Sequence, residues 1–294
     1  MINFIEVLLT GVTVGGVYAL LALGFVIIFK SSKVFNFAVG QLLTWGAYIF
    51  MIFIVNLKFP IWIGFLATIG FAVLVGFSIE RLLLRPMIGQ SILSIIMMTL
   101  AISVFLSGFI VLIWGGTWYA YPSFLGSGAF KIGEITLSVQ HVVSLGIALL
   151  LFGILSLYFK FTFGGLAMRA VAEDHQVARS KGVNAKQVFA HAWVICAVVC
   201  VISGILLGSM LGVGPGLAIM GLKAVPVVLV GGLESIPGVL IAGPLIGIIE
   251  ALVAEYISPG MGMALEEIIP YIILVLILIF KPYGLFGIKR IERI

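Results

Sequence analysis

The chain has 294 residues, 63% of them hydrophobic and 9% charged, with a mean hydropathy of +1.32 and a formal net charge of +5. A soluble domain carries about a quarter charged residues, so this composition excludes a polar shell around one globular core. The basic residues lie in separate loops rather than one stripe, which excludes a nucleic-acid surface, and two cysteines, Cys196 and Cys200, share one helix face as small buried residues and exclude a disulfide framework.

Apolar runs of about 18 or more residues suffice for a helix to cross about 30 Å of hydrocarbon. A spanning β-barrel needs alternating strands instead, and the runs here are continuous. The first run has no Lys or Arg before Lys30, so it reads as a permanent span and not a signal peptide. In chain order the runs predict spans near 4–29, 36–55, 61–80, 91–113, 139–159, 188–211, 238–256 and 268–280. The expected fold is an all-α polytopic bundle of about eight long transmembrane helices in a single transmembrane domain over 1–294. The shorter segment 222–233 carries Pro226, Gly231 and Gly232. It reads either as a kinked helix or as a broken segment of the kind that lines transport pathways.

Charge sets the expected orientation. Lys30 and Lys33 follow the first span, Arg81 and Arg85 the third. The loop 160–187 holds Lys160, Arg169, Arg179, Lys181 and Lys186, and the tail holds Lys281, Lys289, Arg290 and Arg293. These are thirteen of the sixteen basic residues, and Lys58, Lys131 and Lys223 fall in the intervening segments. Basic loops stay cytoplasmic, which places the N-terminus outside and the C-terminus inside. An odd number of crossings follows, so 222–233 is expected to cross with the eight long spans. The longest outside loop, Trp114 to Gln140, has interfacial Trp and Tyr at its start and Gly, Pro and Ser at its turns. It is large enough to meet a soluble partner.

The cytoplasmic stretch Gly164 to Gln187 has a helical pattern. Ala167, Ala170, Val171, Val177 and Ala178 recur on one side, with Arg169, Glu173, Gln176 and Ser180 opposite. Arg169 and Glu173 are spaced to pair. Gly182 suits the left-handed residue after the last turn, with Arg179 and Lys181 at the dipole's negative end. Asn184 reads as the N-cap of the next span, with Gln187 completing a capping box. The pattern is a short surface helix, a sharp turn and a new span. Its Ala and Val face lacks the Trp, Phe and Leu that anchor helices on lipid, which favours a groove in a cytosolic partner over a headgroup layer.

No G-x-x-x-x-G-K-[ST] sequence occurs, so an ATPase driving this chain is a separate subunit. The Gly212-Val-Gly-Pro-Gly run follows no strand, and His141, His175 and His191 are scattered without metal or nucleophile spacing. No catalytic constellation appears, and the chain reads as a non-enzyme that binds no cofactor or metal of its own. Glu250 lies at membrane depth, where a carboxylate faces water, the bundle interior or a partner. It reads either as a group that orients a substrate ammonium or as one hydrogen-bonded between helices.

Four stretches carry a resemblance. They are Gly15-Gly-Val-Tyr-Ala-Leu-Leu-Ala-Leu-Gly24 with Val34-Phe-Asn-Phe-Ala-Val-Gly-Gln41; Arg169-Ala-Val-Ala-Glu-Asp174 through Gly182-Val-Asn184; Gly231-Gly-Leu-Glu-Ser-Ile-Pro-Gly238; and Lys281-Pro-Tyr-Gly-Leu-Phe-Gly287. In order along nearly the whole chain, they resemble the permeases of bacterial branched-chain amino acid ABC importers, the smaller LivH-like partner. The family usually has His at Val39 and Gly at Glu234. The resemblance implies a bacterial inner-membrane permease subunit forming half of a pathway for branched-chain amino acids or a related small solute. It implies a second permease, a longer homologue, two cytoplasmic ATP-binding subunits that hold ATP and Mg, and a periplasmic substrate-binding protein. Arg169, Glu173, Asp174 and Gly182 would then meet the ATPase. Pathway candidates are Asn36, Gln41, Gly231, Gly232 and Glu250. The competing expectation is a self-contained secondary transporter or channel for a small polar or amphipathic solute.

Overall fold

The computed structural model describes residues 4–121, 124–126, 128–132, 135–173 and 175–287. Its helices are α1 (Phe4–Ser32), α2 (Val39–Met51), α3 (Ile61–Ser78), α4 (Ile92–Trp114), α5 (Val139–Phe161), α6 (Phe163–Glu173), α7 (His175–Ser180), α8 (Ala185–Leu211), α9 (Leu217–Leu222), α10 (Ala224–Gly231), α11 (Ile236–Tyr256), α12 (Ser258–Met261) and α13 (Ile269–Phe280). α2 continues as a π turn over Ile52–Asn56, and α3 as a π turn over Ile79–Leu84 and a 3-10 turn over Arg85–Met87. Among the described residues the only sheet is a hairpin, β1 (Ala129–Ile132) antiparallel to β2 (Ile135–Ser138), in a stretch expected to be loop.

Among the described residues, seven helical stretches are long and apolar enough to cross a bilayer, and they coincide with the first seven expected spans. The eighth, α13, has 12 residues, about 18 Å of helix. Most of the segment 222–233, expected to be either kinked or broken, is one helix, α10, set off from α9 at Lys223, whose backbone stays right-handed at φ −63° and ψ −16°. Pro226 explains the break. Its ring would clash with the Leu222 carbonyl in a continuous helix, but it is tolerated in the first turn of α10, whose N–H groups have no intrahelical partner.

The chain divides into two compact units. One comprises Met1–Val26, Leu125–Phe152 and Lys223–Ile294, the other Ile27–Phe124 and Gly153–Leu222. In the first, α1 and α11 cross at glycines. A Cβ built at Gly15 would lie 2.4 Å from the Gly243 carbonyl oxygen, and one at Gly247 2.3 Å from that of Gly11. Gly11 and Gly15 thus face Gly243 and Gly247, a reciprocal pair of G-x-x-x-G steps. Small residues of this kind let backbones meet where lipid supplies no hydrophobic drive between helices. In the second unit α2, α3 and α8 pack together around Phe50, Ala72, Val201 and Ile205. The loop after α4 closes over this unit. Tyr119 and Val213 exchange backbone hydrogen bonds of 2.7 and 2.9 Å, and the Tyr121 hydroxyl donates to the Ala47 carbonyl at 2.8 Å.

Candidate functional site

The break between α9 and α10 delivers a charge to the interior of the first unit. Lys223 is buried, with 1% of its side chain exposed, and its ammonium donates to Oε1 of Glu250 in α11. The Tyr18 hydroxyl of α1 donates to the same oxygen at 3.4 Å. Oε2 of Glu250 is buried without a hydrogen-bond partner. An isolated charge at this depth costs several kcal/mol, and pairing the two removes most of that cost. Of the two sequence readings of Glu250, the geometry supplies interhelical partners and leaves one carboxylate oxygen for a further donor. Sequence reasoning passed over Lys223 and Tyr18. The available signal was a lone lysine in an apolar segment of a chain with one carboxylate deep in a span.

The glycines of the broken segment lie at the other end of α10. Gly231 packs on the backbone of Gly238 at the start of α11, where the Ser235 side chain accepts from the Gly238 N–H at 3.0 Å as the N-cap. The tail covers this corner: Leu285 N–H donates to the Val230 carbonyl at 2.7 Å and Phe286 N–H to that of Gly231 at 3.3 Å. Gly232, with φ +106°, lies against Gly287. The sequence motifs 231–238 and 281–287 therefore form one backbone knot that satisfies the last carbonyls of α10. α13 packs against both α10 and α11.

Asn36 and Gln41 belong to the second unit. Asn36 is fully buried; its Oδ1 accepts from the Ala38 N–H at 2.9 Å, opening α2, and its Nδ2 has no partner. The preceding turn is held from α4, where the Thr99 hydroxyl donates to the Phe35 carbonyl at 3.3 Å and accepts from the Phe37 N–H at 3.4 Å. Gln41 is half-buried in the first turn of α2. A Cβ at Gly40 would lie 2.4 Å from the Ala218 carbonyl oxygen, so α9 packs on α2 directly beside Asn36.

The stretch expected to dock a partner is α6, α7 and the turn into α8. It ends in a Schellman motif: Val183 N–H donates to the Ala178 carbonyl at 3.1 Å and Gly182 N–H to that of Arg179 at 3.0 Å. Gly182 has φ +85° and open space around its Cα, so only the left-handed backbone requires glycine there. Asn184 caps α8, its side chain accepting from the Lys186 N–H at 3.1 Å. Ala167, Met168, Val171 and Ala178 are buried, while Val177, assigned to the apolar face from spacing alone, is 56% exposed. Arg169 lies over the Phe159 ring, 5.8 Å from its centroid, rather than on Glu173, which is exposed. Asp174 lies outside the described residues. A groove of about 710 Å³ runs between Arg179, the 182–186 turn and Ile88–Gly89 of the α3–α4 connection.

Residues 7–278 match the family model described as branched-chain amino acid transport system / permease component. The chain belongs to this family. It is 31% identical to the high-affinity branched-chain amino acid transport system permease protein LivH of Escherichia coli K12, over 99% of this chain and 98% of that one. It is 30% identical to BraD of Pseudomonas aeruginosa PAO1 over the same shares, and 27% identical to a probable LivH of Methanocaldococcus jannaschii over 94% and 90%. A chain of the solved PsaBC–Fab complex from Streptococcus pneumoniae shares the fold, with a TM-score of 0.52 and 15% identity over 97% of this permease and 95% of that chain. The permease is a multi-pass inner-membrane subunit of an ABC import system, and not an enzyme.

Proposed function

We propose that the permease imports branched-chain amino acids or a related small solute, with its N-terminus outside, its C-terminus cytoplasmic, and α6–α7 docked on one of two cytoplasmic ATP-binding subunits. The observation that carries this is the docking segment itself: helical residues over 163–173 and 175–180, closed by a Schellman turn at Gly182 and joined through the Asn184 cap to the buried span α8. A push on such a segment passes into the membrane without being absorbed in a flexible loop. Glu173 and the 182–186 turn are outward and accessible, and the adjoining groove gives a partner side chain a place to seat.

The substrate class is supported by the names of the relatives, and the direction by the basic residues at the ends of α1, α3 and α5. In this reading ATP and Mg are held by the ATPase subunits, a second permease completes the pathway, and a periplasmic protein delivers the solute. Glu250 with Lys223, Asn36 with Gln41, and the Gly231–Gly232 corner are the pathway candidates. Among these candidates, Glu250 Oε2 and Asn36 Nδ2 are buried without partners, one acceptor and one donor that a passing polar solute can use.

The test is reconstitution of the complete transporter with Gly182→Pro and with charge reversal at Glu173 and Asp174. ATP hydrolysis is expected to persist while solute uptake is lost, with the complex still monodisperse. Full uptake in these variants refutes the docking role. Uptake by the purified permease alone, driven by a solute gradient, refutes the ABC reading in favour of a self-contained transporter.

A further inference from the structure

Three basic side chains stand at the end of the docking segment: Arg179 in α7, Lys181 in the turn and Lys186 in the first turn of α8. All three are exposed. Arg179 and Lys186 line the groove of about 710 Å³ that the turn forms with Ile88 and Gly89, and the remaining lining residues are all neutral. Neither of these two cations is ion-paired among the described residues. Arg169, by contrast, is held over the Phe159 ring.

Two cations on one recess repel each other, and an anion between them turns that repulsion into attraction. Asn184 adds a donor beside them. Its Oδ1 accepts from the Lys186 N–H at 3.1 Å, which commits the acceptor and leaves the side-chain NH2 group to donate. Pockets of about 300–1,000 Å³ hold a drug-sized ligand, so this groove has room for a segment of peptide and is far larger than an inorganic ion needs. A Cβ built at Gly89 or Gly182 would meet nothing within 4 Å, so both rims stand open. Glu173, exposed at the end of α6, does not line the groove. The docking segment therefore presents an acidic end and, separately, a basic recess, a pattern that a complementary partner meets in one orientation.

We propose that this groove receives an acidic segment of the cytoplasmic ATP-binding subunit, with an Asp or Glu carboxylate seated between Arg179 and Lys186. The assignment rests on the docking reading above and adds the chemistry of the partner's contact. Arg179 offers a planar fork to such a carboxylate and Lys186 a point charge. Arg179 lies before the Gly182 turn and Lys186 after it, at the start of α8. A carboxylate held by both ties the docking helix to the span across the turn, so a displacement of the partner reaches α8 directly.

The test is carried out on the complete transporter in two steps. A carbodiimide joins a lysine amine to a carboxylate in contact with it, with loss of water, and peptide mass spectrometry then locates the new amide. The expected product links Lys186 to an Asp or Glu of the ATP-binding subunit, and no such product at Lys186 overturns the assignment. In the second step the ATP-binding subunit is removed and rebound to the permease in nanodiscs. Lys186→Glu puts an acid where the dipole of α8 favours it, so the fold is kept. Affinity is expected to fall about three- to tenfold in Lys186→Glu and about threefold in Arg179→Gln, with a weaker salt dependence than in the parent. Lys181→Gln, one charge removed outside the groove, is expected to change affinity less than either. Equal weakening by Lys181→Gln would show a diffuse field in place of a seated carboxylate and overturn the proposal. Parental affinity in both groove variants, together with reduced retention of phosphatidylglycerol, would assign the groove to a lipid headgroup and overturn it as well. Failure of the parent itself to rebind the subunit would refute the docking reading, whereas normal rebinding by parent and groove variants alike would refute this assignment alone.

Discussion

Replacing Lys223 with methionine fills nearly the same volume but leaves the Glu250 carboxylate facing only the Tyr18 hydroxyl. Breaking a buried ion pair from one side costs about 3–5 kcal/mol, because the remaining charge keeps its desolvation penalty. With about 2.1 cal/mol/K of unfolding entropy per residue over the 294 residues, that corresponds to a loss of about 5–8 °C in melting temperature. Glu250→Gln, which strands Lys223, is expected to cost a similar amount. The informative variant is the double replacement Lys223→Met with Glu250→Leu. Removing both charges together is expected to restore the parental melting temperature or exceed it, since a well-packed apolar pair often matches a buried ion pair. The assay is thermal challenge of the purified transporter followed by fluorescence-detected size exclusion, beside solute uptake for each variant. Single variants within about 1 °C of the parent, or a double variant that loses the sum of the singles, would refute the pairing argument. A stable double variant that no longer transports would assign the pair to the pathway; one that transports normally would assign it to the bundle.

At the crossing of α1 and α11, Gly15→Leu is expected to cost at least about 1–3 kcal/mol by forcing the helices apart, whereas Gly70→Leu, with nothing within 4 Å of its Cβ position, should leave the size-exclusion profile unchanged. Arg85→Lys keeps the charge but loses the two-pronged contact with Glu80, and a drop of about 1–2 kcal/mol in a denaturation series is expected. Tyr121→Phe removes the hydrogen bond to Ala47 and should destabilise by about 1 kcal/mol. Burial pushes the Tyr121 phenol well above its usual pKa, so it stays protonated when folded while the unfolded chain releases the proton near pH 10. The folded state then binds more protons, and stability falls as pH rises through about 10. Tyr121→Phe is expected to flatten that alkaline loss; an identical alkaline profile in the variant would count against the buried phenol.

What the sequence disclosed was local. The left-handed Gly182, the Asn184 cap and the limits of seven spans each depend on residues within a few positions, and each appears where expected. A kink or break within 222–233 was also legible, because Pro226 acts on the carbonyl four residues before it. Tertiary contacts were not, and the reason lies in the composition. In a soluble protein the apolar stripe of a helix names its buried face, but α1, α4 and α8 are apolar on every side, so periodicity assigns no face. Within hydrocarbon the residues that choose partners are the smallest and the rare polar ones. Gly11-x-x-x-Gly15 and Gly243-x-x-x-Gly247 stood in the sequence as matching steps, and Lys223 and Glu250 as opposite charges among very few, yet their pairing spans separations no local rule reaches. The same logic explains the knot between 231–238 and 281–287. Those motifs are ordered by backbone carbonyls that need donors in a medium that offers none, and glycine is what lets the donor chain come close enough. In this permease, then, the tertiary structure is written in its glycines and its few buried polar groups, and the long apolar runs specify little beyond the membrane.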